Sequence, residues 1–150
     1  MDSLSTPNML HILYRLHFED GHEFAYHAYI DPYTLTSIDP GPLQPPAWTR
    51  LEYHQCPNCP LEGTAYERCP AALKLVTLLN DKGELWSHQH ARVQVNTPER
   101  TILREVPVSM AMGSLLGLVL ATSRCPNTEF LKPMARFHLP FASELETVYR

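Results

Sequence analysis

Glycine is scarce in this 150-residue chain, which has only 6 glycines against 14 prolines. Loops that bind dinucleotides or phosphates are rich in glycine, because their backbone must approach a phosphate closely. The sequence contains no such loop and no Gly-x-Ser-x-Gly motif, which argues against nucleotide-dependent enzymes and hydrolases of that type. The abundant proline predicts many abrupt ends of helices and strands and few flexible joints.

The sequence also has few basic residues and no long apolar run. The chain has 12 lysines and arginines against 16 aspartates and glutamates, a net charge of -4, whereas binding to a nucleic-acid duplex requires a basic surface. The most apolar stretch, residues 108–121, falls short of the roughly 18 residues needed to span a membrane. Residues 1–7 lack the basic and apolar regions of a secretory signal. We therefore expect a cytoplasmic protein that binds neither nucleic acid nor membrane.

The remaining composition is typical of one compact domain. Hydrophobic residues make up 44% of the chain and charged residues 19%, which excludes a disordered protein. Residues 10–18 and 24–30 alternate between apolar and polar, and Asp20-Gly21 between them favours a tight turn. These segments predict a β-hairpin whose more polar face carries three histidines, namely His11, His17 and His27.

The same patterns predict the other elements. Strands are expected over residues 48–53, 85–95 and 101–106, and helices over 71–79 and from Pro107 to about Ser123. Gly113, Gly117 and Ala121 lie four residues apart on the second helix, a spacing that permits close packing of a neighbouring element. A central core helix is the favoured interpretation. The predicted fold is α+β, with an antiparallel sheet of about five strands and two or three helices on one face, tied together by a cysteine-rich metal site.

The four cysteines are the strongest chemical signal in the sequence. Cys56, Cys59 and Cys69 form a C-x2-C-x9-C pattern, Cys125 follows at a distance, and a proline comes directly after each of the four. Thiols in a reducing compartment are more often metal ligands or redox groups than disulfides. The spacing therefore favours a metal site.

Local structure offers a reason for these Cys-Pro pairs. Cys56-Pro57-Asn58-Cys59 can form a tight turn in which both sulfurs point to one centre. Cys69 and Cys125 each precede a proline that opens a helix or helical turn, and a helix N-terminus stabilises a thiolate. Four thiolates make a closed, tetrahedral Zn²⁺ site. We predict that all four cysteines bind Zn²⁺, with His54 or His138 as alternatives to Cys125.

Other uses of these residues are weaker. Cys56 and Cys59 superficially resemble a redox dithiol, but Pro60 interrupts the helix that such a motif requires. Cys125 paired with His138 is conceivable as a nucleophile, although nothing in the sequence brings the two together. His88-x-His90 could bind a metal on one face of a strand, but an exposed strand end is the favoured interpretation. Four unpaired cysteines packed as small core residues are also possible.

Several segments of the chain together form a set of motifs. They are His54-x-Cys56-Pro-Asn-Cys59-Pro-Leu, Cys69-Pro-Ala-Ala, Gly117-Leu, Ala121-Thr-Ser-Arg-Cys125-Pro, Pro133-Met-Ala-Arg-Phe-His-Leu-Pro-Phe-Ala-Ser143, Glu146-Thr and Arg150. Together these segments resemble an uncharacterised bacterial family of cysteine-containing proteins of unknown function. The resemblance implies that the four Cys-Pro pairs belong to one site, and it implies no activity.

The C-terminal residues predict the start of a helix. Ser143 and Glu146 match a capping box, and Leu145, Val148 and Tyr149 begin an apolar stripe. The chain is thus expected to be a single zinc-binding domain over residues 1–150, truncated within a C-terminal helix that a protein partner or a second copy covers.

The function predicted from these features is that of a small cytoplasmic zinc-binding module. Its structural four-cysteine site would support protein–protein interaction or regulation. The alternative is a thiol- or metal-dependent enzyme that uses Cys125 or an open zinc position.

Overall fold

The structure, a computed structural model, describes residues 9–38, 41–53, 55–63, 65–82 and 89–141. Four strands and three helices lie within these ranges, with two 3₁₀ turns at Ala47–Thr49 and Pro126–Leu131. The elements in chain order are β1 Leu10–His17, β2 Glu23–Ile30, α1 Pro70–Lys82, β3 His90–Asn96, β4 Thr101–Pro107, α2 Val108–Ala121 and α3 Lys132–Arg136.

The four strands form one antiparallel sheet in the order β2-β1-β3-β4. The predicted hairpin is confirmed: Leu10 pairs with Ile30 and His17 with Glu23. Gly21 in the turn has a φ of 92°, a left-handed conformation that glycine adopts without steric cost. The α+β class and the antiparallel sheet are as predicted, but the described residues form four strands rather than five.

The strand expected over residues 48–53 is the one that does not form. Ala47–Thr49 is a 3₁₀ turn, and Arg50 makes only an isolated bridge with Arg68. Thr49 explains the difference, because both its backbone N–H and its hydroxyl donate to the carbonyl of Pro46, at 3.0 and 2.6 Å. These local bonds compete with a sheet ladder and bend the chain into a turn.

The core lies between one face of the sheet and the helices. Tyr14, Leu16 and Val93 on the strands are fully buried, as are Ala111 and Leu115 on α2. The helix predicted from Pro107 is confirmed, with Pro107 at its N-cap. Pro70 opens α1 as expected, and α1 extends to Lys82. The helix thus continues three residues past its predicted end at residue 79.

The two glycines of α2 do not mark a close contact with any other described element. Gly113 and Gly117 are exposed, and a Cβ added at either position would meet nothing within 4 Å. Ala121 by contrast is buried in the core.

Within the described ranges no single helix is long and apolar enough to span a membrane. Val108–Ala121 and Pro126–Arg136 reach that length only as a pair bent by 112°.

The segment after α2 is joined to the core by a partly buried hydrogen-bond network. The hydroxyl of Tyr14 bonds to Ser114 Oγ at 2.8 Å and to Nε2 of His138. The N–H of Phe141 donates to the same Ser114 oxygen at 3.1 Å. Burial raises the pKa of Tyr14 well above its ordinary value, outweighing the opposite effect of the Ser114 bond. The hydroxyl therefore acts as a neutral donor and acceptor in the core.

Ion pairing and ring contacts hold this segment against the sheet edge as well. Arg136 Nη1 lies 3.0 Å from a carboxylate oxygen of Glu99, next to β4. The guanidinium of Arg104 on β4 lies 5.7 Å from the centre of the Phe141 ring, within the range of a cation–π interaction. Much of the motif Met134–Phe141 therefore has a structural role.

Candidate metal centre

The first two cysteines lie on a long loop whose ends are tied together. Arg50 and Arg68 form an antiparallel bridge, and the N–H of Leu51 donates to the carbonyl of Glu67 at 3.0 Å. Arg50 Nε also donates to Glu52 at 3.0 Å. Hydrogen bonds from the Glu52 backbone N–H and from Arg50 hold the pKa of the Glu52 carboxyl below its ordinary value. The base of the loop is thus well defined.

Cys56 and Cys59 form a turn near the outer end of this loop. The N–H of Cys59 donates to the carbonyl of Cys56 at 3.0 Å, as a tight Cys-x-x-Cys turn requires. Cys56 is exposed and Cys59 half-buried. The side-chain amide of Gln55 donates to the carbonyl of Leu61 at 2.9 Å across the turn. The predicted turn is therefore present in the backbone.

The described residues of the loop form no apolar core of their own. None of its described residues between Glu52 and Glu67 is buried, and Tyr53 and Tyr66 are both exposed. Leu51, at the base, is the nearest buried side chain. Loops of this length without regular structure are uncommon in compact domains and often have a function.

Cys69 lies directly beyond the base of the loop, at the N-cap position of α1. Its carbonyl accepts the N–H of Leu73 at 3.1 Å, the first bond of that helix, and its own N–H donates to Thr49 at 2.8 Å. The thiol is half-buried and unoxidised. The prediction that Cys69 immediately precedes a helix is confirmed.

Cys125 occupies the corresponding position before the 3₁₀ turn Pro126–Leu131. Its carbonyl accepts the N–H of Thr128 at 3.1 Å, whereas its side chain makes no capping hydrogen bond. The preceding residue, Arg124, has a φ of 76°, an unusual conformation for a residue with a side chain. Cys125 thus follows a sharp reversal of the chain after α2.

The chain segments around Cys69 and Cys125 line one cleft, although the two residues are distant in sequence. The cleft has a volume of about 520 Å³ and is lined by Arg68 and Pro70 from one segment and by Ser123 and Arg124 from the other. No sequence pattern indicates this proximity, because it depends on how α1 packs against α2.

The thiols are not assembled into a coordination shell. Among the residues that the structure describes, no group of three or more His, Cys, Asp or Glu side chains lies close enough to hold a metal ion. All four cysteines are free thiols. A bound metal would have to draw the loop cysteines and the two helix-end cysteines together.

The histidines considered as alternative ligands have different surroundings. His54 and His88 lie outside the described residues. His138 uses its Nε2 in the bond to Tyr14, which assigns that nitrogen to the core network. His90 is exposed at the start of β3.

The histidines of the hairpin are on its polar face, as predicted. His17 pairs with Glu23, with Nδ1 2.9 Å from the carboxylate. His11 and His27 approach each other across the two strands, a contact that the alternating pattern alone does not specify.

The predicted C-terminal helix start at Ser143, with Leu145, Val148 and Tyr149, lies outside the described residues.

Comparisons with known proteins identify a family and no activity. A family model described as a domain of unknown function, DUF6901, matches residues 12–150. No curated protein and no solved structure matches the chain.

Proposed function

Since the chain belongs to the DUF6901 family of unknown function, we propose a function from its own residues: it is a small zinc-binding module of the cytoplasm. In this proposal Cys56, Cys59, Cys69 and Cys125 bind one Zn²⁺ in a closed structural site. The module would serve protein–protein interaction or regulation.

The observation that carries this proposal is the construction of the loop between Arg50 and Arg68. Its base is hydrogen-bonded and its Cys-x-x-Cys turn is formed, yet no described residue from Glu52 to Glu67 is buried. Structural zinc supplies folding free energy where a small segment has no core. A metal held by the turn and by Cys69 would order this loop.

Cys125 is the favoured fourth ligand. Its flanking residues share a cleft with those of Cys69, and both cysteines precede a proline-opened helical turn. The four sulfurs do not form a preassembled group, so the proposal requires the loop to close when Zn²⁺ binds. Such coupling of binding to local folding is common in small zinc modules.

Metal analysis of the purified protein tests the site. We expect about one zinc per chain, and Cys56→Ser should remove most of it. Asn58→Ala is the matched control, because it alters the same turn without removing a thiol, and it should retain zinc. Folded wild-type protein without metal, with four thiols that alkylate freely, would refute the proposal.

The number of ligands separates a structural site from a catalytic one. Four protein ligands leave no open position, whereas three ligands and a water allow catalysis. We expect Cys125→Ser to lose zinc affinity as Cys56→Ser does. Full zinc retention in Cys125→Ser would remove Cys125 from the ligand set. The fourth position would then be open, as in a metal-dependent enzyme, or held by His54 or His138, and His54→Ala and His138→Ala distinguish these cases by whether they lose zinc.

The proposed interaction with a protein partner or a second copy involves the C-terminal segment. It rests on the apolar spacing of Leu145, Val148 and Tyr149 in the sequence. Light scattering should give a mass above that of one chain, or reveal a complex, and the double change Leu145→Asp and Tyr149→Asp should reduce that mass. A monomer unaffected by these changes would end this part of the proposal.

A further inference from the structure

Two arginines occupy equivalent places in the chain, each directly before one of the Cys-Pro pairs. Arg68-Cys69-Pro70 leads into α1, and Arg124-Cys125-Pro126 leads into the 3₁₀ turn that follows α2. Both arginines line the cleft of about 520 Å³ between these two segments. The fold thus brings two cations that are far apart in the sequence to one cleft.

Arg124 has a backbone conformation that its own contacts do not explain. Its φ of 76° lies in the left-handed region, which costs free energy in a residue with a side chain. Its side chain is exposed and forms no hydrogen bond or ion pair with any described residue. Because strained residues of this kind cluster at sites that hold ligands, the strain points to a ligand of the cleft as the missing partner.

Arg68 is held in place and still has unused hydrogen-bond donors. Its Nη1 donates to the carbonyl of Pro46 at 2.9 Å and to Oγ1 of Thr49 at 2.8 Å. Its Nε and Nη2 donate to no described residue, and no described carboxylate forms an ion pair with it. A guanidinium offers five N–H donors in one plane and binds phosphate oxygens in pairs. Arg68 can therefore receive an anion without losing its present bonds.

The charge of the cleft favours an anion, although the whole chain has a net charge of -4. Lys74 on α1 is a third cation of the lining, and Glu67 is the one carboxylate among its described residues. Glu67 lies 4.0 Å from Arg50, which is not part of the lining, so part of its charge is offset. The described lining thus has an excess of positive charge.

Much of the remaining lining is apolar. It includes Ile38, Pro45, Pro70 and Leu73. Sites for small molecules combine such surfaces with a few polar or charged groups, in volumes of about 300–1,000 Å³. The cleft therefore suits a ligand with an apolar body and one strongly anionic group.

We propose that this cleft binds a small phosphate monoester with an apolar body, and that Arg68 and Arg124 hold its phosphate. A phosphate monoester carries a charge of about −1.5 to −2 at neutral pH, which matches two arginines better than the single charge of a carboxylate does. No glycine-rich loop is needed, because side chains rather than backbone N–H groups contact the phosphate. The proposal uses none of the four thiols and does not rest on the proposed zinc function.

Isothermal titration calorimetry of the full chain with phenyl phosphate tests the site. Phenyl phosphate should bind about tenfold more tightly than inorganic phosphate, because only its ring contacts the apolar lining. It should also bind about tenfold more tightly than benzoate, which carries a smaller charge. The proposal is overturned if phenyl phosphate does not bind, or if either of the other two anions binds as tightly.

Substitution of Arg124 separates ligand binding from stability. Glycine adopts a φ of 76° without steric cost, so Arg124→Gly should not lower the melting temperature. Its affinity for phenyl phosphate should nevertheless fall by about 10- to 100-fold, because a charged hydrogen-bond donor is lost. Arg68→Gln should weaken binding to a similar extent.

The matched control is Arg15→Gln. Arg15 is an exposed arginine on the outer face of β1, between the buried Tyr14 and Leu16, and its removal should leave the affinity unchanged. Undiminished affinity in Arg124→Gly or in a folded Arg68→Gln would contradict the proposal, as would an equal loss in Arg15→Gln. Because Arg124 is exposed, the test does not depend on whether Arg68→Gln folds.

Discussion

At the scale of single residues, Tyr14 places a polar hydroxyl in the core. Its ring is fully buried, and its hydroxyl joins β1 to α2 and to the segment after α3 through Ser114 and His138. A polar group in the core is tolerated when it is hydrogen-bonded. Removal of its partner lowers the free energy of unfolding, because the group left behind is buried without a hydrogen bond.

Tyr14→Phe should therefore destabilise the protein by about 1–3 kcal/mol, because it deprives Ser114 and His138 of a partner in the core. The free energy of unfolding in urea measures this. Tyr29→Phe, which removes a hydroxyl from an exposed tyrosine, should stay within about 0.5 kcal/mol of the wild type. Equal stability of the two variants would show that the network contributes nothing.

Tyr14 also gives a pH dependence with a defined sign. Burial raises its pKa in the folded state above the ordinary value of 10.0, so folding favours the neutral phenol. The contribution of Tyr14 to the free energy of unfolding is therefore complete below about pH 10 and declines as the pH rises beyond that value. In an absorbance titration, the tyrosinate signal of Tyr14 should appear only when the wild type unfolds. The comparison with Tyr14→Phe, which lacks that signal, identifies it. Its appearance together with that of exposed tyrosines in the folded protein would contradict this.

At the scale of elements, α2 has two glycines that its packing does not require. Gly113 and Gly117 lie within the helix, both are exposed, and an added Cβ meets nothing within 4 Å. Gly113→Ala and Gly117→Ala should each stabilise the protein by about 0.5–1 kcal/mol, because alanine loses less backbone entropy in a helix. Thermal melting measures the gain. Destabilisation by either change would indicate that the added methyl group meets an unfavourable contact.

The start of α1 gives a second element-scale prediction. Cys69 occupies the N-cap position, and a serine there can accept a hydrogen bond from the first helical turn, whereas an alanine cannot. Cys69→Ala should therefore be less stable than Cys69→Ser by about 1 kcal/mol, although both should lose zinc. Equal melting temperatures would contradict the capping role, and full zinc retention in both would remove Cys69 from the ligand set.

At the scale of the whole molecule, the core and the cysteine loop are separate. The core cluster draws on all four strands and on α1, α2 and α3, but on none of the described residues between Glu52 and Glu67. Removing zinc with a chelator should therefore leave the circular dichroism of the sheet largely intact while the loop becomes much more sensitive to proteases. Loss of the entire fold on chelation would show that the metal supports the core as well. Unchanged cleavage within residues 52–67 would show that it does not order the loop.

Much of this architecture could be predicted from the sequence because it depends on local patterns. Alternating residues and Asp20-Gly21 give the β1–β2 hairpin, and Pro70 and Pro107 mark the starts of two helices. The backbone turn at Cys56 and Cys59 follows from four consecutive residues. The strand expected over 48–53 was wrong because hydrogen bonds of Thr49 to Pro46 bend the chain locally, and alternation takes no account of such bonds.

Only the tertiary structure decided which residues far apart in the chain come close together. The sequence alone determined the hairpin, both helix starts and the placement of histidines on one polar face. It could not indicate that the segments of Cys69 and Cys125 line one cleft, that His138 bonds to Tyr14, or that His11 and His27 lie 2.9 Å apart. Periodicity specifies which face a side chain occupies, whereas register and helix packing set the distance between side chains on different elements.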